Sequence, residues 1–338
     1  MISIIIPHFE RLELLQQTLA SLERQSSSSW EAVIVDDGSS AECWKHLKQL
    51  ASAKIQVLQR TDGDKGPSRC RNIGIQASTA PYIMFLDSDD LLAPNCIQQR
   101  LDVAAAHPNC DFWVFPAELF RHTPGDLQQP WNTMTERGDD LERFLRSDGP
   151  WCVSSGLWTR QALQRLGGFN ERVMYGDDAD LHIRALLTGL TFQQFPAQPP
   201  DVFVRRSDAP RITGSGHSVA LLESRLTRLS EGTRALAAAD AGDDLRLTWE
   251  GQYFMEGEFL LFNVENPRPW LRRLLRQWQQ DFEKYPGTGR RRLVLWYLTW
   301  CTCWKTRWYL QVRLARQLML LCLPPTWFPP RSSTGSAA

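Results

Sequence analysis

The sequence predicts an α/β fold: a largely parallel sheet flanked by helices, followed by a helical extension. Two observations carry this. The first 90 residues alternate strand-like and helical runs, the βαβα pattern that builds parallel sheets through right-handed crossovers. The polar residues of that stretch also fall where strands end: His8 after the first, Asp36 and Asp37 after the second, Asp87 and Asp89 after the fourth. Ligands of such sheets lie beyond the carboxyl ends of the strands, so topology alone gathers these side chains.

The elements follow in order. Strands are expected at Ile2–Ile6, Ala32–Val35, Ile55–Leu58 and Tyr82–Leu86, where apolar and β-branched residues cluster. Leu12, Leu15, Leu19 and Leu22 recur at helical spacing, and Arg69–Ala77 reads as a further helix. Asp111–Leu119 is expected as one strand, and Arg121–Glu136, with its Pro, Gly and Gln, as a mobile loop. Strands at Val153–Trp158 and Thr191–Phe195 flank a helix over Asp178–Leu187. Beyond Gly216 the pattern turns helical and then basic and Trp-rich. The expected division is a catalytic domain over 1–216, a helical extension over 217–330 and a disordered tail over 331–338.

Composition sets outer bounds. A chain of 338 residues with 43% hydrophobic and 22% charged residues can bury an ordinary globular core. Its net charge of zero conceals a division, because 13 Lys/Arg stand against 2 Asp/Glu from Arg268 onward. The basic end is therefore suited to an anionic surface. The eight cysteines are scattered, and Cys301-Thr302-Cys303 has no second pair at a zinc spacing. Free thiols, and a strand-like start in place of a leader, give the expectation of a cytoplasmic protein.

The chemistry centres on Asp87-Ser88-Asp89-Asp90, directly after the buried strand Tyr82–Leu86. Three carboxylates this close repel one another unless a cation sits among them. Oxygen ligands favour Mg²⁺ or Mn²⁺, which keep positions open for substrate phosphates. An acidic turn opening a helix at Leu91-Leu92-Ala93-Pro94 is the plainer alternative.

The neighbouring motifs decide between them. In order stand Ile4-Ile5-Ile6-Pro7, Val33-Ile34-Val35-Asp36-Asp37-Gly38-Ser39, Arg71-Asn72-Ile73-Gly74, the Asp-x-Asp cluster, Gly167-Gly168-Phe169-Asn170-Glu171 and Gly176-Asp177-Asp178-Ala179-Asp180-Leu181. Together they resemble the family 2 glycosyltransferases, over roughly Met1 to Gly216. The resemblance implies the GT-A fold and a nucleotide-diphospho-sugar donor, with a UDP-sugar favoured. It implies donor binding by Pro7, Asp37, Arg71 and Asp87, with Asp37 on the uracil ring and Asp87 on the ribose. Asp89 would hold Mn²⁺ or Mg²⁺. Asp178 would be the catalytic base of an inverting transfer, since a sugar hydroxyl attacks only as its proton leaves. Asp36 is left to an Asx-turn, Arg71 is expected to pair with Asp37 or with phosphate, and Asp177 is the expected helix N-cap.

Three departures bear on function. Relatives often carry a His soon after a basic pair, but Ser207 follows Arg205-Arg206, so His217 is the nearest substitute metal ligand. Ala179 and His182 stand where relatives have aromatic residues, which would alter the acceptor pocket. Arg276-Gln277-Trp278 is not the Gln-x-x-Arg-Trp motif of processive synthases, so single additions to a glycan or lipid-linked acceptor are expected.

In the tail, Trp296, Trp300, Trp304 and Trp308 recur every four residues, and the charge-free runs Leu293–Trp304 and Gln317–Pro330 are too short to span a bilayer. Such a helix would either lie on an anionic membrane surface, peripheral to the inner face of the plasma membrane, or pack back on the protein. No nucleic-acid partner is expected. The different-class alternative is an inactive GT-A scaffold at the membrane, which would have no use for Asp37, Asp87, Asp89 and Asp178 together.

Overall fold

The computed structural model describes residues 1–135, 137–206, 218–285, 293–294, 297–298, 316 and 323–328. They form two compact units: Met1–Asp140 with Gly149–Pro210, and Leu141–Asp148 with the chain from Arg211.

The first unit opens with strand β1 (Ile2–His8), helix α1 (Leu12–Glu23), β2 (Trp30–Asp36), α2 (Ala41–Gln49), β3 (Ile55–Gln59), α3 (Pro67–Ala77) and β4 (Tyr82–Phe85). Then follow β5 (Leu91–Leu92), α4 (Cys96–Ala106), β6 (Phe112–Val114), β7 (Ala117–Phe120) and β8 (Gln129–Pro130); α5 (Asp140–Leu145), next in the chain, counts almost wholly with the second unit. β9 (Gly156–Thr159), α6 (Arg160–Leu166), α7 (Asp177–Leu187), β10 (Phe192–Gln194) and β11 (Val202–Arg205) complete the αβ part. The main sheet has the order β10-β6-β9-β4-β1-β2-β3, and a smaller one the order β5-β11-β7-β8. β1 pairs in parallel with β2 and β4, and β2 with β3, while β9 runs antiparallel between β4 and β6. The register sets His8 opposite Asp36 and Ile5 opposite Phe85, so three strands deliver their ends to one edge.

Fully buried Ile4, Ile34, Met84, Leu15 and Leu22 pack the interface of this sheet with its helices. On the other face α3 lies very close, because a Cβ at Gly74 would collide with the Ile5 side chain. Glycine is required there for contact rather than for backbone freedom.

Several expected elements differ. The single strand over Asp111–Leu119 is two, β6 and β7, which belong to different sheets. Pro116 lies between them and has no N–H to continue a ladder, so the chain changes sheet there. Leu91-Leu92 does not start a helix but pairs antiparallel with β11, and α4 begins only after Pro94. Val153–Ser155 forms a 3-10 turn, and the strand begins at Gly156. The expected loop from Arg121 is tied down: the Asp126 carboxylate accepts the amides of Arg121, His122 and Thr123, and Gln129–Pro130 pairs with β7.

A buried ion pair holds the middle of this unit. Arg100 of α4 donates from Nε and Nη2 to Asp201 at 2.8 and 2.7 Å, from Nη1 to the Ser154 carbonyl at 3.0 Å, and lies over the Phe115 ring.

The second unit is helical, with α8 (Val219–Ala238), α9 (Asp243–Asn263) and α10 (Arg268–Asp281). Gly232 lets α8 approach the Trp249 ring of α9, and Trp327 packs on Gly251. Buried polar groups are paired: Trp278 Nε1 donates to Glu250 at 2.9 Å, and Arg225 Nε to Glu256 at 2.8 Å. Val294, Tyr297 and Leu298 are buried. Trp296, Trp300, Trp304, Trp308, His217 and the tail from Arg331 lie outside the described residues. Among the described residues no helix is long and apolar enough to cross a membrane.

Arg100→Met leaves Asp201 as a buried charge without its partner, so the chain should lose about 3–5 kcal/mol in chemical denaturation. Arg100→Met with Asp201→Leu should recover most of that. A single mutant as stable as the wild type would remove the pair from this role.

Candidate active site

At the end of β2, Asp36 closes the turn. Its carboxylate accepts the Ser39 amide at 3.0 Å and the Gly38 amide at 3.3 Å, and also the Ser39 hydroxyl. Burial alone would raise its pKa, but the bonds from His8, Ser39 and Gln59 outweigh that and hold it below the usual range. His8 Nδ1 lies 3.3 Å from Asp36, and its Nε2 accepts the Arg11 amide, which sets the neutral tautomer with the proton on Nδ1. With Asp36 spent on the turn, Asp37 is the carboxylate left to face a ligand. Its partner is Arg60, the first residue past β3, whose Nε donates to Asp37 at 2.6 Å. Arg60 Nη1 also ties the carbonyls of Asp62 and Gly63. Pro7 sits beside this turn, paired with Val35 in the β1–β2 register.

Arg71 does not pair with Asp37. It is 4% exposed and forms a bridge instead. Nη2 donates to Asp87 at 2.7 Å, Nη1 donates to Asp177, and the guanidinium lies over the Phe169 ring at 5.1 Å. Burial opposes its charge, but Asp177 and Asp87 outweigh it and push the pKa above the ordinary arginine value. One side chain of α3 thus joins the end of β4 to the start of α7.

That corrects the expected role of Asp177. The N-cap of α7 is Gly176, in the left-handed conformation with φ of 69°, and it provides no side-chain cap. Asp177 is buried against Arg71 and accepts the Ser68 hydroxyl at 3.2 Å. Burial pushes its pKa up to about 6, Asp178 and Asp87 add to this, and Arg71 opposes it. Asp178 is partly exposed, and its Oδ1 accepts the Ala179 amide at 2.8 Å. Burial also raises Asp178.

The Asp87–Asp90 cluster has protein cations around it. Asp87 meets Arg71, and Asp89 meets Arg11 at 2.8 Å. Asp90 does not open a helix. It is 3% exposed and accepts the Arg205 amide at 2.9 Å. Burial, then the charges of Asp89 and Asp87, push its pKa well above the carboxylate range. Arg205 Nε donates to the Asp89 carbonyl at 2.8 Å, so β11 fixes the backbone of the cluster. Among the described residues no three His, Cys, Asp or Glu side chains converge as a ready ligand set. Asp87 and Asp89 still suit Mg²⁺ or Mn²⁺, which bind through one or two carboxylates plus substrate phosphates.

Asn72 and Gly168 support the site. Asn72 accepts the Phe169 amide at 2.8 Å and donates to the Phe169 carbonyl at 2.9 Å. Gly168 has φ of 72°, and a Cβ there would lie 2.5 Å from Asn72 Oδ1. Both the backbone angle and the close approach require glycine.

Comparison with known proteins agrees with this arrangement. Residues 3–156 match the profile of Glycosyl transferase family 2. These residues are similar to the family 2 glycosyltransferases. An uncharacterized glycosyltransferase of Haemophilus influenzae is 34% identical to this chain over 188 residues, 55% of this chain and 62% of that protein. The uncharacterized glycosyltransferase EpsJ of Bacillus subtilis is 25% identical over 193 residues, 55% of this chain and 56% of that protein. The chain thus spans less than two thirds of either relative. The crystal structure of S. aureus TarS 1-349 in complex with UDP-GlcNAc superposes with a TM-score of 0.67 at 14% identity, covering 96% of this chain and 93% of that chain. At that identity the likeness is one of fold, and that fold is GT-A.

Sequence reasoning missed Arg11 and Arg60. Each lies within three residues of a strand end, which is the one signal that could have found them. His182, expected to alter a pocket, is buried instead. It is 1% exposed, with its ring against Trp151 and Trp158, each at 5.7 Å between centroids.

Burial pulls the His182 imidazole from 6.5 down to about 3. Between those values the unfolded chain takes up a proton that the folded chain refuses. Stability should therefore fall as pH drops through that window, by at most about 1.4 kcal/mol per unit. His182→Phe should flatten the difference between urea midpoints at pH 4 and pH 7. An unchanged difference would assign the acid sensitivity to other groups.

Proposed function

We propose that this chain is an inverting, metal-dependent, non-processive glycosyltransferase. It moves a sugar from a nucleotide-diphosphate donor, a UDP-sugar, to a hydroxyl of a glycan or lipid-linked acceptor, working at an anionic membrane surface. The observation that carries this is the Arg71 bridge, which sets Asp178 next to the carboxylates of the Asp-x-Asp turn. S. aureus TarS, of the same fold, has been crystallised with UDP and with UDP-GlcNAc, which supports a uridine donor here.

The residues divide the work. Asp37 accepts the imide N–H of uracil, and Arg60 holds the Asp37 carboxylate at the angle needed. Pro7 lines the same turn. Asp87 bonds the ribose, while Arg71 keeps Asp87 oriented and adds positive charge near the diphosphate. Asp89, with His217 as a further ligand, would hold Mn²⁺ or Mg²⁺, which would supply Lewis-acid neutralisation of the diphosphate. Arg11, beside Asp89, is near enough to add to that charge. Asp178 takes the proton of the acceptor hydroxyl on the carboxylate oxygen not bound to Ala179, on the face opposite the leaving group. The raised pKa of Asp178 suits this, because a base works best when its pKa lies near the working pH. Asp177 acts through Arg71 and is a positioning residue.

Asp178→Asn should keep UDP binding and lose transfer by roughly 10²–10⁴-fold, the scale of general-base catalysis. Near-normal turnover in the variant would move the base elsewhere. Asp89→Ala should abolish the Mn²⁺-dependent part of UDP binding with the fold intact, as read by calorimetric titration. Equal UDP affinity in Asp89→Ala and wild type, with Mn²⁺ present, would take Asp89 out of metal binding.

A further inference from the structure

The last carbonyls of a helix find no amide within it and must be met from outside. At the end of α6 the donor comes from α7. Arg184, in the last turn of α7, donates from Nη1 to the Leu166 carbonyl and from Nη2 to the Gly168 carbonyl, each at 2.9 Å. Its Nε donates to Asp180 at 2.8 Å, so all three guanidinium nitrogens have an acceptor. Gly167 and Gly168 both lie in the left-handed region, and the turn they make leads directly to Phe169. Asn72 of α3 binds both backbone groups of Phe169, and the Phe169 ring lies against Arg71 and against Phe85.

α7 therefore has two anchors. Asp177, its first residue, is held by Arg71 and Ser68 of α3, and Arg184, about two turns on, is held by the end of α6. Asp177, Asp180 and Arg184 stand at i, i+3 and i+7, so they share the face of α7 that meets α3 and α6. Both anchors reach the same turn, Arg71 through the Phe169 ring and Arg184 through the Gly168 carbonyl.

We propose that Arg184 is a positioning residue for Asp178. By clamping α7 to the Gly167–Phe169 turn it fixes the direction of the Asp178 carboxylate, and its loss slows transfer without weakening donor binding. The inference rests on the reading of Asp178 as the base and adds the residue that aims it. A helix held at one end pivots about that end, whereas a second anchor fixes its axis and its rotation. At about 1.5 Å per residue, Arg184 lies about 9 Å along the axis from Asp178, and its guanidinium is fully engaged, so it acts through the helix rather than on a ligand. Small errors of aim are costly, since a displacement of about 1 Å can lower a rate by roughly 10²-fold.

The test is release of UDP from a panel of UDP-hexoses and UDP-N-acetylhexosamines with water as acceptor, beside calorimetric titration of UDP. Water attacks the anomeric carbon, its proton passes to Asp178 and the bond to the UDP oxygen breaks, so hydrolysis reads the same base. Arg184→Lys keeps a cation near Asp180, but a single ammonium cannot span both carbonyls as the planar fork does. It should bind UDP within about twofold of the wild type, which also shows that it is folded, keep KM for the donor and lose kcat roughly 10-fold. Arg184→Gln should lose roughly 10²-fold. In the Asp178→Asn background Arg184→Lys should cost nothing further, because residues that act as a unit are not additive. A loss that multiplies with that of Asp178→Asn would make Arg184 a general structural tie and overturn the inference, as would wild-type kcat in Arg184→Lys. Either result leaves the base reading standing. Near-normal turnover in Asp178→Asn would sink the base and this inference together. A wild type that binds UDP but hydrolyses none of the panel would overturn it along with the UDP-sugar reading.

Discussion

The candidate site depends on a single buried guanidinium. Arg71 joins Asp87, at the end of a central strand, to Asp177, at the start of a helix 106 residues later in the chain. Neither carboxylate would be tolerated so close to the other without it, because burial and mutual repulsion already raise Asp177. The cation cannot be relocated cheaply either, since it is held against Phe169 and has two carboxylates aimed at it. Replacing it with a neutral side chain would leave the buried Asp177 without its cation, the costly half of breaking a buried pair. The orientation of Asp178 is inherited from this bridge, being the next residue along.

Around the bridge, rigid contacts between backbone and side chain replace what a looser site would leave to solvent. Asn72 binds both backbone groups of Phe169, so the ring that flanks Arg71 is itself fixed from α3. Arg205 holds the backbone of Asp89 and Asp90 from the smaller sheet. Asp36 and His8 consume each other's polarity at the strand ends and leave Asp37 to pair with Arg60. Carboxylates adjacent in sequence therefore receive different tasks: Asp36 closes the turn while Asp37 pairs with Arg60, and Asp177 is buried while Asp178 is partly exposed.

Much of this was legible in the sequence, for an identifiable reason. Strands buried on both faces need nearly continuous apolar runs, so Ile2–Ile6 and Tyr82–Leu86 were visible without partners. The positions of Asp37, Asp87 and Asp89 followed from the ends of those runs. What was not legible depends on which distant residue arrives. Nothing local tells Asp37 that Arg60 is its partner, or Asp177 that it will bury against Arg71 instead of capping a helix. Leu91-Leu92 reads as a helix start until β11 supplies a strand to pair with. His182 reads as a change in an acceptor pocket until Trp151 and Trp158 close around it. Local preference was overruled in each case by a contact of long sequence separation.

That separation bears on how the protein is made. The strands β1 to β4 and their helices are joined by short connections and can assemble as soon as the first 90 residues or so have emerged, since chains fold from the amino end during synthesis. The turn that carries Asp37, the Asp-x-Asp cluster and Arg71 would then exist before Asp177 and Asp178 are translated. Only when α7 swings in is a loop of about 100 residues closed, the slow kind of step in folding. In the interval, a nascent chain holds Asp37, Asp87 and Arg71 in place with neither Asp177 nor Asp178 beside them.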